Sequence, residues 1–405
     1  MDIRELEKAN LLVLSSAFPF GSDYRGTFVK GQLEILKDYF DHIHVIMPLS
    51  FFPKFMLHSG YFKKFSGYNG YPKNYVIDNI NIFFPRFFPL PINDDLFLRY
   101  RSSLILKATN NLIQNHNLKF DLIHAHFVYP SGYVGIKIKE RSGLPLVLTA
   151  HGGDIYRQPF RSVKQFEMTK KILSNADRII TTSQRNCNII TGDFGIEPEK
   201  VAILSNGFNE NFFYIINKNK ARQELSLPLR AKIILSIGNL IEIKGHCYLI
   251  EAIKKILLTY NDILCIIIGH GDKSKLNDQI KSLGLESHIL IVNGVPHEKI
   301  PIWINACDLF VLPSLDEGSP TVLPEVMACG KPTIAASVGG IPEIIREKDI
   351  GLLVRAKDSD EIAEKILLAL EKKWDAHKIA QYAKDNYTWE NISKRMLELY
   401  LEIIL

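Results

Sequence analysis

Twelve short apolar runs, rich in Val, Ile and Leu and separated by longer amphipathic stretches, constrain this chain more than any other feature. Six lie in the first half: LLVLSS (11–16), HVIMPL (44–49), LIHAH (122–126), LVLTA (146–150), RIITTS (178–183) and VAILSN (201–206). Six more follow: IILSIG (233–238), LCIIIG (264–269), ILIVNG (289–294), LFVLPS (309–314), TIAAS (333–337) and GLLV (351–354). Runs of this length alternating with amphipathic stretches predict βαβ units that build parallel sheets, an α/β class of fold. Most of the runs end in Ser, Thr, Gly or His. In doubly wound sheets the carboxyl ends of the strands carry the ligand, so those polar residues are the first place to look for chemistry.

The two sets of runs are separated by GFNENFFYIINKNKARQEL (207–225), a polar, Asn-rich passage that breaks the strand rhythm and reads as an interdomain linker. At 405 residues and about 150 residues per domain, two Rossmann-like domains are the simplest reading. No repeat of fixed period is evident, which excludes a solenoid.

Composition narrows the function classes. With 46% hydrophobic and 23% charged residues the chain has the balance of an ordinary globular protein. The net charge of +5 is mild and does not indicate a nucleic-acid partner, and the excess lies in the first 210 residues, with 25 Lys and Arg against 19 Asp and Glu. Cys187, Cys247, Cys265, Cys307 and Cys329 are odd in number and lack CxxC spacing, so neither a disulfide framework nor a zinc site is expected, and a reducing cytoplasm fits. The apolar run after MDIRELEKAN is too short for the core of a signal peptide. No run approaches the ~18 apolar residues of a spanning helix, so any membrane contact is expected to be peripheral.

One segment departs from the rhythm. Residues 51–91 hold 13 of the 42 aromatic residues, where an even spread would give roughly 4. The same stretch carries Lys54, Lys63, Lys64 and Lys73. Such a surface could lie on an anionic bilayer with its aromatics at the interface and its lysines on headgroups. The alternative is an ordered insertion whose aromatics pack on the domain's own core.

The strongest chemical signal is SLDEGSPTVLPEVMACGKPTIAASVGGIPEII (314–345). Gly318, Ser319 and Pro320 form a turn after a strand, and a helix is expected to open near Thr321, presenting N–H groups and a dipole to an anion. Glu317 on the loop and Glu325 on the helix, expected to have no basic partner beside them, suit hydrogen bonds to sugar and ribose hydroxyls.

Glu317-x7-Glu325 within EGSPTVLPEVMACGKP, followed by Gly339, Gly340 and Glu343, resembles the signature of glycosyltransferase family 4, the retaining, nucleotide-sugar-dependent glycosyl transferases of group 1 that have the GT-B fold. Other landmarks fall in order along nearly the whole chain: FPFGSDYRGTFVKGQ (18–32), DLIHAH (121–126), TAHGGD (149–154), ADRIITTS (176–183), ILSNGFN (203–209), SIGNLIEIKG (236–245), IIGHGD (267–272) and ACDLFVLPS (306–314). The resemblance implies two Rossmann-like domains facing across a cleft. Residues 1–210 would bind the acceptor, residues 211–385 the nucleotide-sugar, and a terminal helix over 386–405 would cross back to the first domain.

The resemblance also assigns roles. Glu317 would hold donor-sugar hydroxyls with Gly318, Ser319, Thr321 and Val322, and Glu325 the ribose. Lys244 would meet the donor diphosphate, where a compact charge stabilises a developing negative leaving group. Gly26 matches the glycine of the first loop and His151 the histidine near the donor sugar, with Asp154 orienting it and His126 and His124 in support. Gly294 and Val295 lie where the base would be recognised, and Gly269 and Gly271 would shape a wall. Two departures stand out: Asn239 where many members carry Arg, and Pro320, which removes a backbone donor.

The implied reaction transfers a sugar from a UDP- or GDP-linked donor to a glycan or lipid-linked acceptor with retention and without a metal or other cofactor. Asp358-Ser359-Asp360 matches a metal-binding DxD pattern, yet precedes EIAEKILLAL, where Asp or Ser reads as a helix cap. The expected location is the cytoplasm, at the inner face of the membrane if residues 51–91 bind lipid. Two other readings remain: a GT-B nucleotide-sugar epimerase, disfavoured by the paired glutamates, and a non-catalytic nucleotide-sugar-binding subunit, for which Asn239 is the only hint.

Overall fold

A computed structural model describes residues 3–21, 26–52, 70–88 and 95–404, and the chain divides into two compact units. The first comprises Met1–Ser205 with Ile392–Leu405, the second Asn206–Asn391.

Among the described residues the first unit carries an eight-stranded sheet in the order Val201–Ile203, Arg178–Thr181, Leu146–Ala150, Leu122–His126, Asn10–Ser15, His42–Ile46, Ile80–Phe83, Asn74–Ile77. All pairings are parallel except the last, an antiparallel hairpin whose turn places Asp78 at φ 53°. The six runs predicted in this half each form a strand. Leu122–His126 and Leu146–Ala150 are buried at every position, as strands covered on both faces must be. Helices return the chain between them. Val163–Asn175 and Gln184–Gly192 each start after a serine, Ser162 and Ser183, whose hydroxyl accepts a hydrogen bond from the backbone N–H three residues on.

Within the aromatic stretch the described parts form structure that the run pattern does not predict. Besides the hairpin, Leu49–Ser50 pairs in parallel with Arg86–Phe87, and Phe52, Tyr71, Phe83, Phe84 and Phe87 are buried. Lys54, Lys63 and Lys64 lie outside the described residues.

The second unit holds a six-stranded, all-parallel sheet in the order Ile289–Asn293, Ile263–Gly269, Lys232–Ile237, Leu309–Leu312, Thr333–Ala336, Gly351–Val354. Numbered along the unit this is 3-2-1-4-5-6, the doubly wound order whose direction reverses between the first and fourth strands. The loops that leave those two strands, after Ile237 and after Leu312, therefore flank the switch point where such sheets bind ligands.

Two boundaries differ from the sequence expectation. Residues 207–225 are not a bare linker: Phe208 and Phe213 sit in the core of the second unit, and Lys218–Glu224 is a helix capped by the Asn217 side chain. Burial of the two phenylalanines overrides the polar composition around them. The terminal helix runs Trp389–Ile404, and its buried Tyr400 hydroxyl is 2.7 Å from His124 Nδ1, which ties it into the first unit.

Candidate active site

In the second unit the chain leaving Ile237 turns through Gly238 and Asn239 into the short 3-10 helix Glu242–Lys244, and Gly245, at φ 66°, opens the helix His246–Ile256. A Cβ on Gly245 would stand 2.0 Å from the Pro313 carbonyl oxygen, so glycine is what allows this loop to lie against the loop after Leu312. Leu315 N–H donates to Ile243 O at 2.8 Å and fixes the register of that contact.

The consequence is a three-residue cluster. Lys244 Nζ donates to Glu317 Oε1 at 2.6 Å, and Ser314 Oγ donates to the same oxygen at 2.7 Å. Glu317 is 8% exposed. Its backbone is held from a third loop: a Cβ on Gly339, itself at φ 55°, would fall 1.7 Å from Glu317 O, and Gly340 N–H donates to Gly318 O at 2.9 Å. The expectation that Glu317 lacks a basic partner is thus corrected. Its partner lies 73 residues away in sequence, and the sheet order brings it back.

The same correction applies to Glu325. It sits in the helix Val322–Ala328, which opens at Thr321, and its Oε1 is 2.8 Å from His297 Nε2. Glu325 is buried, and the side chain of His297 is about a third exposed. Gly294, near His297, has a Cβ position occupied by the His270 ring, and Gly294 and Val295 are both half-buried. Gly318, Ser319, Thr321 and Val322 are half-buried along the loop and first turn, while Asn239 is exposed. Gly269 and Gly271 approach the backbone of Gly238 and Leu240, so they support the Lys244 loop.

His246 is a member of this neighbourhood that sequence reasoning passes over. Its ring contacts Gly238 O at 3.3 Å and Ser236 Oγ at 3.4 Å, and burial pushes its pKa down to about 4. Its position directly after Lys244-Gly245 is the signal that could have found it.

In the first unit, His151 follows the strand Leu146–Ala150. Asp154 does not touch the imidazole: its Oδ1 accepts from the backbone N–H groups of His151 and Gly152 at 3.0 and 2.8 Å, and its Oδ2 from Val128 N–H at 3.0 Å. Orientation of the ring comes instead from His126, whose Nδ1 shares a hydrogen bond with His151 Nε2 at 3.1 Å, and from Phe28 and Phe127, each with its ring centroid 4.5 Å away. Burial lowers the pKa of all three histidines in this region, to about 3 for His126 and well below the ordinary value for His124 and His151. They are therefore neutral at pH 7. His126 Nε2 and His151 Nδ1 are buried without a hydrogen-bond partner. Gly26, at φ 81°, opens the helix Thr27–Leu36, and a Cβ there would stand 2.4 Å from Ala17 O.

Asp358 is the N-cap of Ser359–Glu371, accepting from Glu361 N–H at 2.9 Å, and Arg355 pairs with both Asp358 and Glu361. Among the described residues no group of three or more His, Cys, Asp and Glu is placed to hold a metal ion.

Residues 217–386 match the family model of glycosyl transferases group 1, and residues 66–212 that of glycosyltransferase family 4. The chain is 29% identical over 363 residues to the putative teichuronic acid biosynthesis glycosyltransferase TuaC of Bacillus subtilis (strain 168), with 88% of each chain covered. Among solved structures, sucrose-phosphate synthase (tll1590) from Thermosynechococcus elongatus superposes with a TM-score of 0.79 at 21% identity, covering 98% of this chain and 99% of that one. Anabaena Alr3699/HepE, solved in complex with UDP, gives 0.73 at 22% identity, covering 97% of this chain and 100% of that one. These likenesses show the GT-B fold.

Proposed function

The chain belongs to the glycosyltransferases of group 1 and family 4, and from that premise we propose that it moves a sugar from a nucleoside-diphosphate sugar to an acceptor hydroxyl with retention at the anomeric carbon. The observation that carries this reading is the meeting of Lys244, Ser314 and Glu317 at the switch point of the second sheet.

Lys244 is the cation for the donor diphosphate. Its charge is balanced by Glu317 in this structure, and a diphosphate is the stronger competitor for it because it offers more negative charge. As the ammonium turns to phosphate, Glu317 keeps the Ser314 bond and gains capacity to accept from sugar hydroxyls. Glu325, held by His297, suits the two ribose hydroxyls, and neutral His151 suits a hydroxyl of the sugar. In the reaction the bond from the anomeric carbon to the diphosphate oxygen breaks and the bond to the acceptor oxygen forms on the same face. The acceptor proton passes to the departing phosphate oxygen. Fixed charge and position supply the catalysis.

Glu317, which keeps the Ser314 bond and accepts from sugar hydroxyls, has a binding role in this scheme, and retention without a glycosyl-enzyme is the matching proposal. Metal independence is supported by Lys244 as the cation for the leaving group and by the capping role of Asp358. Alr3699/HepE has been solved with UDP and with UDP-glucose, which supports a UDP-linked donor here, GDP being the alternative. TuaC is named for teichuronic acid biosynthesis, and a glycan or lipid-linked acceptor at the cytoplasmic membrane face is the matching proposal. No described helix is long and apolar enough to cross a membrane. Phe51 and Phe88, at the two ends of the aromatic stretch, are exposed.

Product analysis by NMR, with EDTA present, tests the reaction: the anomeric configuration of the donor should persist in the product, and inversion or a strict metal requirement contradicts the proposal. Co-sedimentation with anionic vesicles tests the membrane contact, since changing Lys54, Lys63 and Lys64 to Glu should release the protein. Equal binding by both forms would sink that part alone.

A further inference from the structure

The first sheet has its own reversal of order, between Asn10–Ser15 and Leu122–His126. Beyond the carboxyl ends of these strands and of His42–Ile46 lies a cavity of about 90 Å³. A cavity of that size has room for roughly half a dozen waters, so it accommodates one small charged group of a larger molecule. Its lining includes the hydroxyl residues Ser15, Ser16, Ser50, Thr109 and Ser131, with a single charged side chain, Arg101.

Two features mark this as a site rather than a packing defect. Thr109 is fully buried and its Oγ1 has no hydrogen-bond partner, and of the buried hydroxyls without a partner among the described residues, those of Thr109, Thr181, Thr182, Thr333 and Ser393, it is the one whose residue lines this cavity. Arg101 and Thr109 lie eight positions apart on the helix Asp95–Asn115 with Ile105 between them, a spacing that sets all three on one face, and all three line the cavity. Arg101 is exposed, and among the described residues no carboxylate pairs with it, so its guanidinium is free to meet a ligand that enters the cavity. A guanidinium and several hydroxyl residues lining one cavity suit an oxyanion, which can accept from a cation and from neutral donors together.

We propose that this cavity binds an oxyanion, a phosphoryl or carboxylate group, carried by the acceptor. The assignment to the acceptor rests on the glycosyltransferase reading above; the affinity of the cavity for an oxyanion does not. Arg101 supplies the charge, and Thr109, Ser16, Ser50 and Ser131 supply neutral donors, so an oxyanion gains a charge-assisted hydrogen bond that a neutral sugar does not.

The test uses inorganic phosphate and D-glucuronate as probes, D-glucose as the neutral control, and saturating UDP throughout so that the nucleotide site is not read. Dissociation constants are measured by NMR titration at constant ionic strength for wild type, Arg101→Gln and Thr109→Val. One or both oxyanions should bind wild type, at least tenfold more weakly to Arg101→Gln and several-fold more weakly to Thr109→Val, with no response to glucose. The stronger probe tells whether the group is phosphoryl or carboxylate. Equal constants in the three proteins, or glucose binding as well as glucuronate, overturn the proposal. Thr109→Val removes only an unsatisfied hydroxyl and should fold as well as wild type, which separates lost binding from lost structure. UDP affinity on the same samples separates the two readings: normal UDP binding without an oxyanion response removes the cavity proposal alone, and an oxyanion response without UDP binding removes the donor reading alone.

Discussion

Lys244 Nζ lies 2.6 Å from Glu317 Oε1, across 73 residues of sequence. The lysine side chain is 23% exposed and the glutamate 9%, so the pair is largely screened from water by the protein itself. In this setting removing one partner leaves the other with a poorly solvated charge. Lys244→Ala should therefore reduce kcat/KM for sugar transfer by about 10² to 10³, the range expected for loss of one charge at a developing oxyanion. It should also destabilise the second unit by roughly 1–3 kcal/mol. Steady-state kinetics and urea unfolding read the two effects separately, and unchanged kinetics would remove Lys244 from the proposed mechanism.

Gly339 and Gly192 predict opposite outcomes for the same substitution. At Gly339 a methyl group would overlap the Glu317 carbonyl oxygen at 1.7 Å, and the backbone is left-handed. Gly339→Ala should thus push the Glu317 loop aside, destabilising the protein by more than about 1 kcal/mol and lowering activity. Gly192 ends the helix Gln184–Gly192 and has nothing within 4 Å of its Cβ position, so Gly192→Ala should be neutral or stabilising by about 0.4–1 kcal/mol. Thermal melts of the two variants compare them, and an equal shift in both would contradict the clamp on Glu317.

Stability should rise with pH across the acid range. His126 titrates at about 3 in the fold against 6.5 for an ordinary imidazole, and His124 and His151 are also lowered by burial. Between those values the unfolded chain binds the proton and the native chain does not. The stabilising contribution is accordingly whole above 6.5 and is lost progressively as pH falls toward 3, by about 1.4 kcal/mol per pH unit for each such histidine. Asp154 acts in the opposite sense, because burial raises its carboxyl above 3.8, and it offsets part of the slope at the acid end. Urea unfolding at several pH values should give a shallower dependence for His126→Gln than for wild type; parallel curves would contradict the assignment.

Tyr400 joins the last helix to the histidines. Its hydroxyl is 2.7 Å from His124 Nδ1, and His124 Nε2 is 2.7 Å from Thr149 Oγ1. Tyr400→Phe leaves a fully buried imidazole nitrogen unsatisfied and should destabilise the first unit by roughly 1–3 kcal/mol. Limited proteolysis should then cut within Trp389–Ile404 faster than in wild type, and equal rates would show that the bond does not anchor the helix.

What was legible in the sequence followed from local periodicity. Each of the twelve apolar runs is a strand, and of the residues at their ends Ser15, His126, Gly238 and Ser314 belong to the runs beside the two reversals of sheet order. The hairpin Asn74–Ile77 and Ile80–Phe83 was hidden because its edge strand leaves the apolar Val76 and Ile77 exposed, so apolar residues there mark no buried face, although Asp78-Asn79 is a turn signal and Asn79 is pinned by its side chain to Lys37 O and Phe40 O. The partners of Glu317, Glu325 and His124 were illegible for a different reason. Glu317 with Lys244, Glu325 with His297 and His124 with Tyr400 are contacts set by strand order and by the return of the last helix, and no spacing rule within one segment encodes them.

The most direct measurement is isothermal titration of UDP and of GDP, in EDTA, into wild type, Lys244→Ala and Glu325→Ala. One nucleotide should bind wild type without a metal. It should bind each variant about 10- to 100-fold more weakly, the loss of one charged hydrogen bond at about 1.5–3 kcal/mol, and the matching nucleoside, which lacks the diphosphate, should be weakened by Glu325→Ala and untouched by Lys244→Ala. Failure of both nucleotides to bind, or affinities that neither substitution changes, would contradict the placement of the donor at the Lys244 and Glu317 site.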